Sequence, residues 1–210
     1  MATVLIAERF VLLVLEPDSG RVSLSRPDTD ADTLCAAGLL FDLIVQQRLS
    51  LQAPGRLRVD ASLPVSNALL NAAAQSLADL PGASADEALR QVRSRLGGLT
   101  RRVLESLYDR DFLHRQRDWR FWRRDSLRYP LRSLQARNDA VAALQQACGA
   151  PQDLAGLGLL LLADVGGVLA LHLHAGQHEQ ANRILLGLNQ PDEADEGRAT
   201  LALLRQALLA

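Results

Sequence analysis

The amino-acid sequence predicts a mainly α-helical protein, a single globular helical domain of residues 1–210 with a buried central helix and small peripheral β-hairpins. Apolar residues recur at helical spacing through most of the chain, and Gly, Pro and Asn signals separate the segments. The chain has 210 residues and is 48 % hydrophobic. That length suffices for one substantial core and is short for two.

Nine helices follow from this spacing and its turn signals. In the first half of the chain they are residues 2–15, a segment capped by Asp30 or Asp32 that runs to Gln47, a segment capped by Ser66 that stops at Pro81, a segment that begins with Ser84 and ends at Gly97, and residues 99–110. In the second half they are residues 134–148, 154–173, about 178–188, and 195–209.

Short alternating segments lie between these helices and predict β structure. Residues 21–25 alternate like a short strand. Residues 49–51 and 57–59 flank a Pro-Gly turn and predict a β-hairpin. Residues 112–131 alternate and turn in the same way, so a second hairpin is expected after the fifth helix.

Charge is divided unevenly along the chain. Residues 90–137 contain 14 Arg and five acidic residues, a charge of +9, whereas the other residues contain 9 Arg and 19 acidic residues, a charge of −10. The formal net charge of −1 therefore conceals a strongly basic segment, whose local field can attract an anionic partner. The alternative interpretation is that this segment only neutralises the acidic remainder within the fold.

Aromatic residues accompany the arginines in the second predicted hairpin. Trp and Tyr favour the boundary between water and lipid, and an Arg near an anionic leaflet gains about 1 kcal/mol. The alternation places Trp119 and Phe121 on one side and Arg120 and Trp122 on the other. The residues predicted to bind a lipid or another anion are Arg26, Arg101, Arg102, Trp119, Arg120, Trp122, Arg123 and Arg124. Those predicted for membrane insertion or oligomer contact are Phe121, Leu127 and Tyr129.

Other classes of protein have little support in the sequence. Cys35 and Cys148 are far apart and are expected to be reduced, buried thiols of a cytosolic protein. His174 and His178 are expected to be solvated residues at a helix end, not metal ligands, and no glycine-rich phosphate loop or activated nucleophile is evident. We therefore expect no enzyme activity, no metal and no cofactor.

The apolar run 154–173 is long enough to be tested as a membrane span. Asp164 lies at its centre, where a charge costs about 2.5–3.5 kcal/mol on insertion scales. A buried helix within a helical domain fits this run better, so no transmembrane segment is expected.

Several segments, in order, resemble the Golgi phosphoprotein 3 family, which includes bacterial relatives. The opening apolar helix followed by Ser19-Gly20-Arg21-Val22-Ser23 resembles the first helix and turn of that family. Further blocks that carry the resemblance are residues 38–43, 47–51, 63–70, 102–113, 128–131 and 157–168. Together they span nearly the whole chain.

The resemblance implies a mainly α-helical domain without enzyme activity. For the eukaryotic members it implies binding of phosphatidylinositol 4-phosphate at a membrane surface and recognition of partner tails as a sorting adaptor. The Trp and Arg positions of that headgroup site align with Ser25, Ala36, Gly97 and Thr100. Since Arg26, Arg101 and Arg102 lie one or two residues away, they are the expected substitutes.

The sequence thus predicts a non-catalytic, cytoplasmic protein that associates peripherally with an anionic membrane or a phosphorylated lipid headgroup through an arginine-rich aromatic surface. Two alternatives remain. The hairpin could build a homo-oligomeric interaction scaffold. A helix followed by a basic ribbon could instead contact nucleic acid as winged-helix modules do, although a recognition helix with base-reading residues is missing.

Overall fold

A computed structural model describes residues 3–53, 55–62, 67–117, 127–188 and 195–209. Helices dominate these residues, which confirms the predicted mainly α fold. In chain order the helices are α1 (Ile6–Val14), α2 (Ala31–Val45), α3 (Ala68–Ala78), α4 (Ala85–Leu96), α5 (Leu99–Asp109), α6 (Leu134–Ala147), α7 (Leu154–Val165), α8 (Leu169–His172), α9 (Ala175–Gly187) and α10 (Glu196–Leu209).

In the described parts of the chain, two antiparallel strand pairs lie between the helices. The first, β1 (Leu49–Ala53) with β2 (Arg56–Val59), is the predicted hairpin, and it contains an irregularity between Leu51 and Ala53. The second pairs β3 (Gln116–Arg117) with β4 (Leu127–Arg128). The strand predicted at residues 21–25 is reduced to a single bridge between Leu15 and Val22.

Two helices form the centre of the core. Helix α2 contacts α1, α3, α4, α5, α7 and α10, and its residues are apolar on nearly every side. Helix α7 packs against α1, α2, α6 and α10, with Leu157 and Leu160 fully buried, which confirms the predicted buried helix. Such all-round apolarity is typical of a helix enclosed by neighbours.

The predicted helix 154–173 is interrupted, however. It ends at Val165, Gly166 caps it, and α8 begins only at Leu169. Gly167 adopts a φ of +72°, a conformation that favours glycine, and its Cα faces the side chains of Ser25 and Arg26. The Ser25 N–H donates to the Gly166 carbonyl oxygen over 3.1 Å. The chain therefore turns here because the segment before α2 packs against it.

Side-chain caps set most of the helix starts. Asp30 caps α2 by accepting from the Thr33 N–H, and Ser84 and Glu87 form a reciprocal capping box on α4, as predicted. The cap of α3 is Asn67, one residue after the predicted Ser66, which lies outside the described residues. His174 caps α9 by accepting from the Gln177 N–H, so α9 begins three residues earlier than predicted.

Two carboxylates of α2 also accept hydrogen bonds from backbone N–H groups at the starts of two other helices. Asp42 accepts the Ile6 N–H at the start of α1 over 2.9 Å, and Asp32 accepts the Thr100 N–H at the start of α5 over 2.8 Å. These N–H groups have no partner within their own helices, and the helix dipole favours an anion there. Burial nevertheless dominates at Asp42 and raises its pKa to about 7.

Glu8 is a fully buried acid on α1. One of its oxygens accepts from the Ser106 hydroxyl over 2.7 Å and lies 3.2 Å from the Arg110 Nε, while the other accepts the Leu5 N–H over 2.8 Å. Arg110 also donates to the Thr3 carbonyl oxygen. Both oxygens of the carboxylate are thus hydrogen-bonded, as a buried charge requires. This network joins α1 to the end of α5.

Helices α1 and α2 are in close contact at Gly38. A Cβ placed there would lie 2.8 Å from the Ala7 Cα and 3.0 Å from the Ala7 nitrogen, both backbone atoms that cannot rotate away. We expect Gly38→Ala to lower the free energy of unfolding by about 1–3 kcal/mol, because overpacking outweighs the better helix propensity of Ala. Urea denaturation measures this change.

Gly187 provides the matched control, since it is also in a helix but nothing lies within 4 Å of an added Cβ. Gly187→Ala is expected to leave stability unchanged or raise it by up to about 1 kcal/mol. Equal effects of the two substitutions would contradict the close approach of α1 and α2.

Candidate functional site

The structure describes the base of the predicted arginine-rich hairpin. Gln116 pairs with Arg128 and Arg117 with Leu127, and a bridge between Leu113 and Leu131 continues the pairing toward the core. The predicted residues Trp119, Arg120, Phe121, Trp122, Arg123 and Arg124 lie outside the described residues.

The exit arm of this hairpin is held by the turn that follows α1. The Leu131 N–H donates to the Pro17 carbonyl oxygen over 2.9 Å. Gly20 has a φ of +66°, and its Cα lies directly against the backbone of Tyr129 and Pro130. The base of the hairpin is therefore fixed to the body of the fold by backbone contacts.

Two residues predicted for insertion or oligomer contact, Leu127 and Tyr129, lie at this base. Tyr129 is only 2 % exposed, and Leu127 is half-buried against the core. The Tyr129 hydroxyl is buried, and burial raises its pKa, with a further contribution from Glu105. The Tyr129 ring therefore packs within the fold at the base of the hairpin.

Helix α5 supports the other arm. The Arg115 guanidinium lies 4.9 Å from the centre of the Tyr108 ring, a cation–π contact. Arg115 and Arg117 are both exposed, and neither pairs with a carboxylate within the described residues. No carboxylate of the described residues therefore neutralises these two exposed cations at the hairpin base.

Most other arginines of residues 90–137 that the structure describes are paired. At least six form ion pairs with the chain's own carboxylates: Arg90 with Asp86, Arg93 with Asp30, Arg95 with Asp79, Arg101 with Glu105, Arg110 with Glu8, and Arg132 with Asp111. All but the Arg110 pair are largely exposed and hence weak. They still cancel much of the positive charge of α4 and α5 locally.

The three arginines expected to replace the headgroup-binding residues have separate partners. The Arg26 Nη2 lies 3.9 Å from the Asp164 Oδ1 near the end of α7. Arg101 pairs with Glu105 over 3.0 Å, whereas Arg102 donates from Nε to the Gly97 carbonyl oxygen over 3.2 Å. No described contact joins these side chains around a common centre.

An internal carboxylate occupies the start of α5, where Gly97 and Thr100 align with the family's Arg pair. Asp32 accepts both the backbone N–H and the hydroxyl of Thr100. The Cys35 thiol lies 3.9 Å from the Thr100 hydroxyl, and burial raises the pKa of this thiol to about 12. Sequence reasoning missed Asp32 in this role because nothing local distinguishes it from an ordinary helix-cap residue.

Neither metal-site nor membrane-span geometry occurs in the described residues. No group of three or more His, Cys, Asp or Glu side chains there could hold a metal ion. No helix among them is both long enough and apolar enough to cross a membrane. Both cysteines are free and buried.

Comparison with known proteins gives one result for nearly the whole chain. A family model described as Golgi phosphoprotein 3 (GPP34) matches residues 6–208. No curated protein matches the chain significantly.

Proposed function

Since the chain belongs to the Golgi phosphoprotein 3 (GPP34) family, we propose that it is a non-catalytic protein that associates peripherally with anionic membranes. The observation that carries the proposal is the pair of exposed cations Arg115 and Arg117, which pair with no carboxylate of the described residues, on a hairpin anchored to the fold. In sequence they continue directly into Arg120, Arg123 and Arg124, with aromatic residues between them.

The chemistry of the hairpin base favours diffuse attraction to a charged layer. Arg115 and Arg117 are two residues apart on one exposed arm, whereas the Thr100 N–H at the start of α5 already donates to the Asp32 carboxylate. Anionic phospholipids, including those with phosphorylated headgroups such as phosphatidylinositol 4-phosphate, are therefore the proposed partners. In this proposal, the hairpin selects among the anionic lipids.

Co-sedimentation with liposomes tests this function. We expect binding to phosphatidylcholine liposomes only when they contain anionic lipid, and weaker binding in high salt, because the attraction is screened. Arg115→Gln combined with Arg117→Gln should weaken binding about 30-fold, since each cation near an anionic surface contributes about 1 kcal/mol.

Arg90→Gln combined with Arg95→Gln is the matched control. It removes the same charge from two exposed arginines of α4 that already pair with carboxylates. Its expected effect is less than about threefold. If liposome binding does not depend on anionic lipid, or if both double variants weaken it equally, the hairpin is excluded as the membrane contact.

The same preparations test the two alternatives from the sequence. A shift of arbitrary duplex DNA without any liposome binding would favour a nucleic-acid partner. A concentration-dependent mass in solution that Phe121→Ala abolishes would favour a homo-oligomeric scaffold.

A further inference from the structure

An open cleft of about 380 Å³ separates the start of α3 from the outer face of α5. The α5 residues that line it are spaced at i, i+3, i+4 and i+7, so they share one face of the helix. They are Arg102, Glu105, Ser106 and Asp109. Across the cleft, Asn67, Leu69 and Ala72 of the α3 side form a partly apolar wall.

The two ends of this face carry opposite charges that are not paired with each other. Arg102 donates only from Nε, to the Gly97 carbonyl oxygen, and has no carboxylate partner in the described part of the chain. Asp109 is exposed and likewise has no partner among the described residues. Seven residues of helix separate their Cα atoms by about 10 Å. Glu105 lies between them and pairs with Arg101.

These charges also oppose the helix dipole. Helix α5 has no acid in its first turn and no base in its last, whereas Arg101 and Arg102 lie near its start and Asp109 at its end. The adjacent helix α4 has the favourable arrangement, with Asp86 and Glu87 in the first turn and Arg93 and Arg95 in the last. Helix stability therefore does not explain the order of charges on α5.

We propose that this cleft binds a zwitterion of the phosphoethanolamine type. The planar guanidinium of Arg102 suits the phosphate, and the carboxylates of Glu105 and Asp109 suit an ammonium group, which donates three hydrogen bonds. A short carbon linker between the two groups would lie along the Leu69 and Ala72 wall. Purely anionic headgroups are disfavoured because two carboxylates line the same face.

The ligand has two sources, a free phosphoethanolamine molecule and the headgroup of phosphatidylethanolamine. Choline compounds provide the sharpest comparison, because their quaternary ammonium has no N–H to donate to Glu105 and Asp109. The site does not depend on membrane association through the hairpin, so it can be tested without vesicles.

The first experiment titrates free phosphoethanolamine into the full chain and follows backbone amide shifts of α5 by NMR. We expect saturable binding, with phosphocholine at least about tenfold weaker. Arg102→Gln and Asp109→Asn should each weaken binding about tenfold, equivalent to about 1.4 kcal/mol, without lowering the Tm. Asp79→Asn is the control, since it removes an acid at the end of α3 outside the cleft.

The second experiment assigns the source. Vesicles of phosphatidylcholine with a fixed fraction of anionic lipid are compared with vesicles in which phosphatidylethanolamine replaces part of the phosphatidylcholine. If phosphatidylethanolamine strengthens vesicle binding and Asp109→Asn abolishes that increase, the ligand is the lipid headgroup. If only free phosphoethanolamine has an effect, the ligand is the soluble compound. Equal binding of phosphoethanolamine and phosphocholine, or unchanged binding by both cleft variants, overturns the proposal even where anionic vesicles still bind.

Discussion

Replacement of Glu8 by Ala is expected to lower the free energy of unfolding by about 3–5 kcal/mol. The carboxylate is fully buried and accepts from the Leu5 N–H, the Ser106 hydroxyl and the Arg110 guanidinium. Removal of one partner of a buried ion pair leaves the other charge inadequately compensated, which is the source of the large cost. Chemical denaturation followed by circular dichroism measures the change.

Glu179→Ala is the matched control for Glu8→Ala. Glu179 is an exposed acid in α9, so its loss is expected to change stability by less than about 0.5 kcal/mol. A difference between the two variants below about 1 kcal/mol would mean that the Glu8 network does not stabilise the junction of α1 and α5.

Replacement of Gly20 by Ala is expected to cost about 4 kcal/mol. A Cβ there would lie 2.3 Å from the Tyr129 carbonyl carbon and 2.5 Å from the Pro130 nitrogen, and the φ of +66° disfavours any side chain. Backbone strain and steric overlap each contribute about 1–3 kcal/mol. The variant should also release the hairpin base, which amide hydrogen exchange at Leu131 can detect.

Gly82→Ala separates the cost of backbone strain from the cost of steric overlap. Gly82 has a φ of +69°, but nothing lies within 4 Å of an added Cβ, so only the backbone strain applies. Its expected cost is about 1 kcal/mol. Equal losses of unfolding free energy in Gly20→Ala and Gly82→Ala would show that the turn after α1 does not pack against the hairpin.

The helices could be predicted because their signals are local. Apolar residues at helical spacing located α2, a continuous apolar run located α7, and Asp30 and Ser84 marked helix starts by chemistry that acts within four residues. The break at Gly166-Gly167 could not be predicted in the same way. The Gly pair was visible, but the contact with Ser25 that bends the chain there joins residues far apart in sequence.

The candidate site was less predictable for a related reason. A count of charges identified residues 90–137 as basic, yet the pairing of Arg93 with Asp30 and of Arg110 with Glu8 depends on the tertiary fold. The position of Glu8 within an apolar run was a usable signal, since a charge on a buried helix face needs a partner. The role of Tyr129 had no such signal, because an aromatic residue beside arginines has the same pattern whether it is exposed or buried.

The spacing of the two α2 carboxylates has a consequence for how the protein can vary. Asp32 and Asp42 are ten residues apart, about 15 Å along the helix axis, and they hold the first residues of α5 and α1. One extra residue between them would rotate one carboxylate by about 100° and remove it from its amide. Relatives that keep both contacts are therefore constrained in the length of this helix.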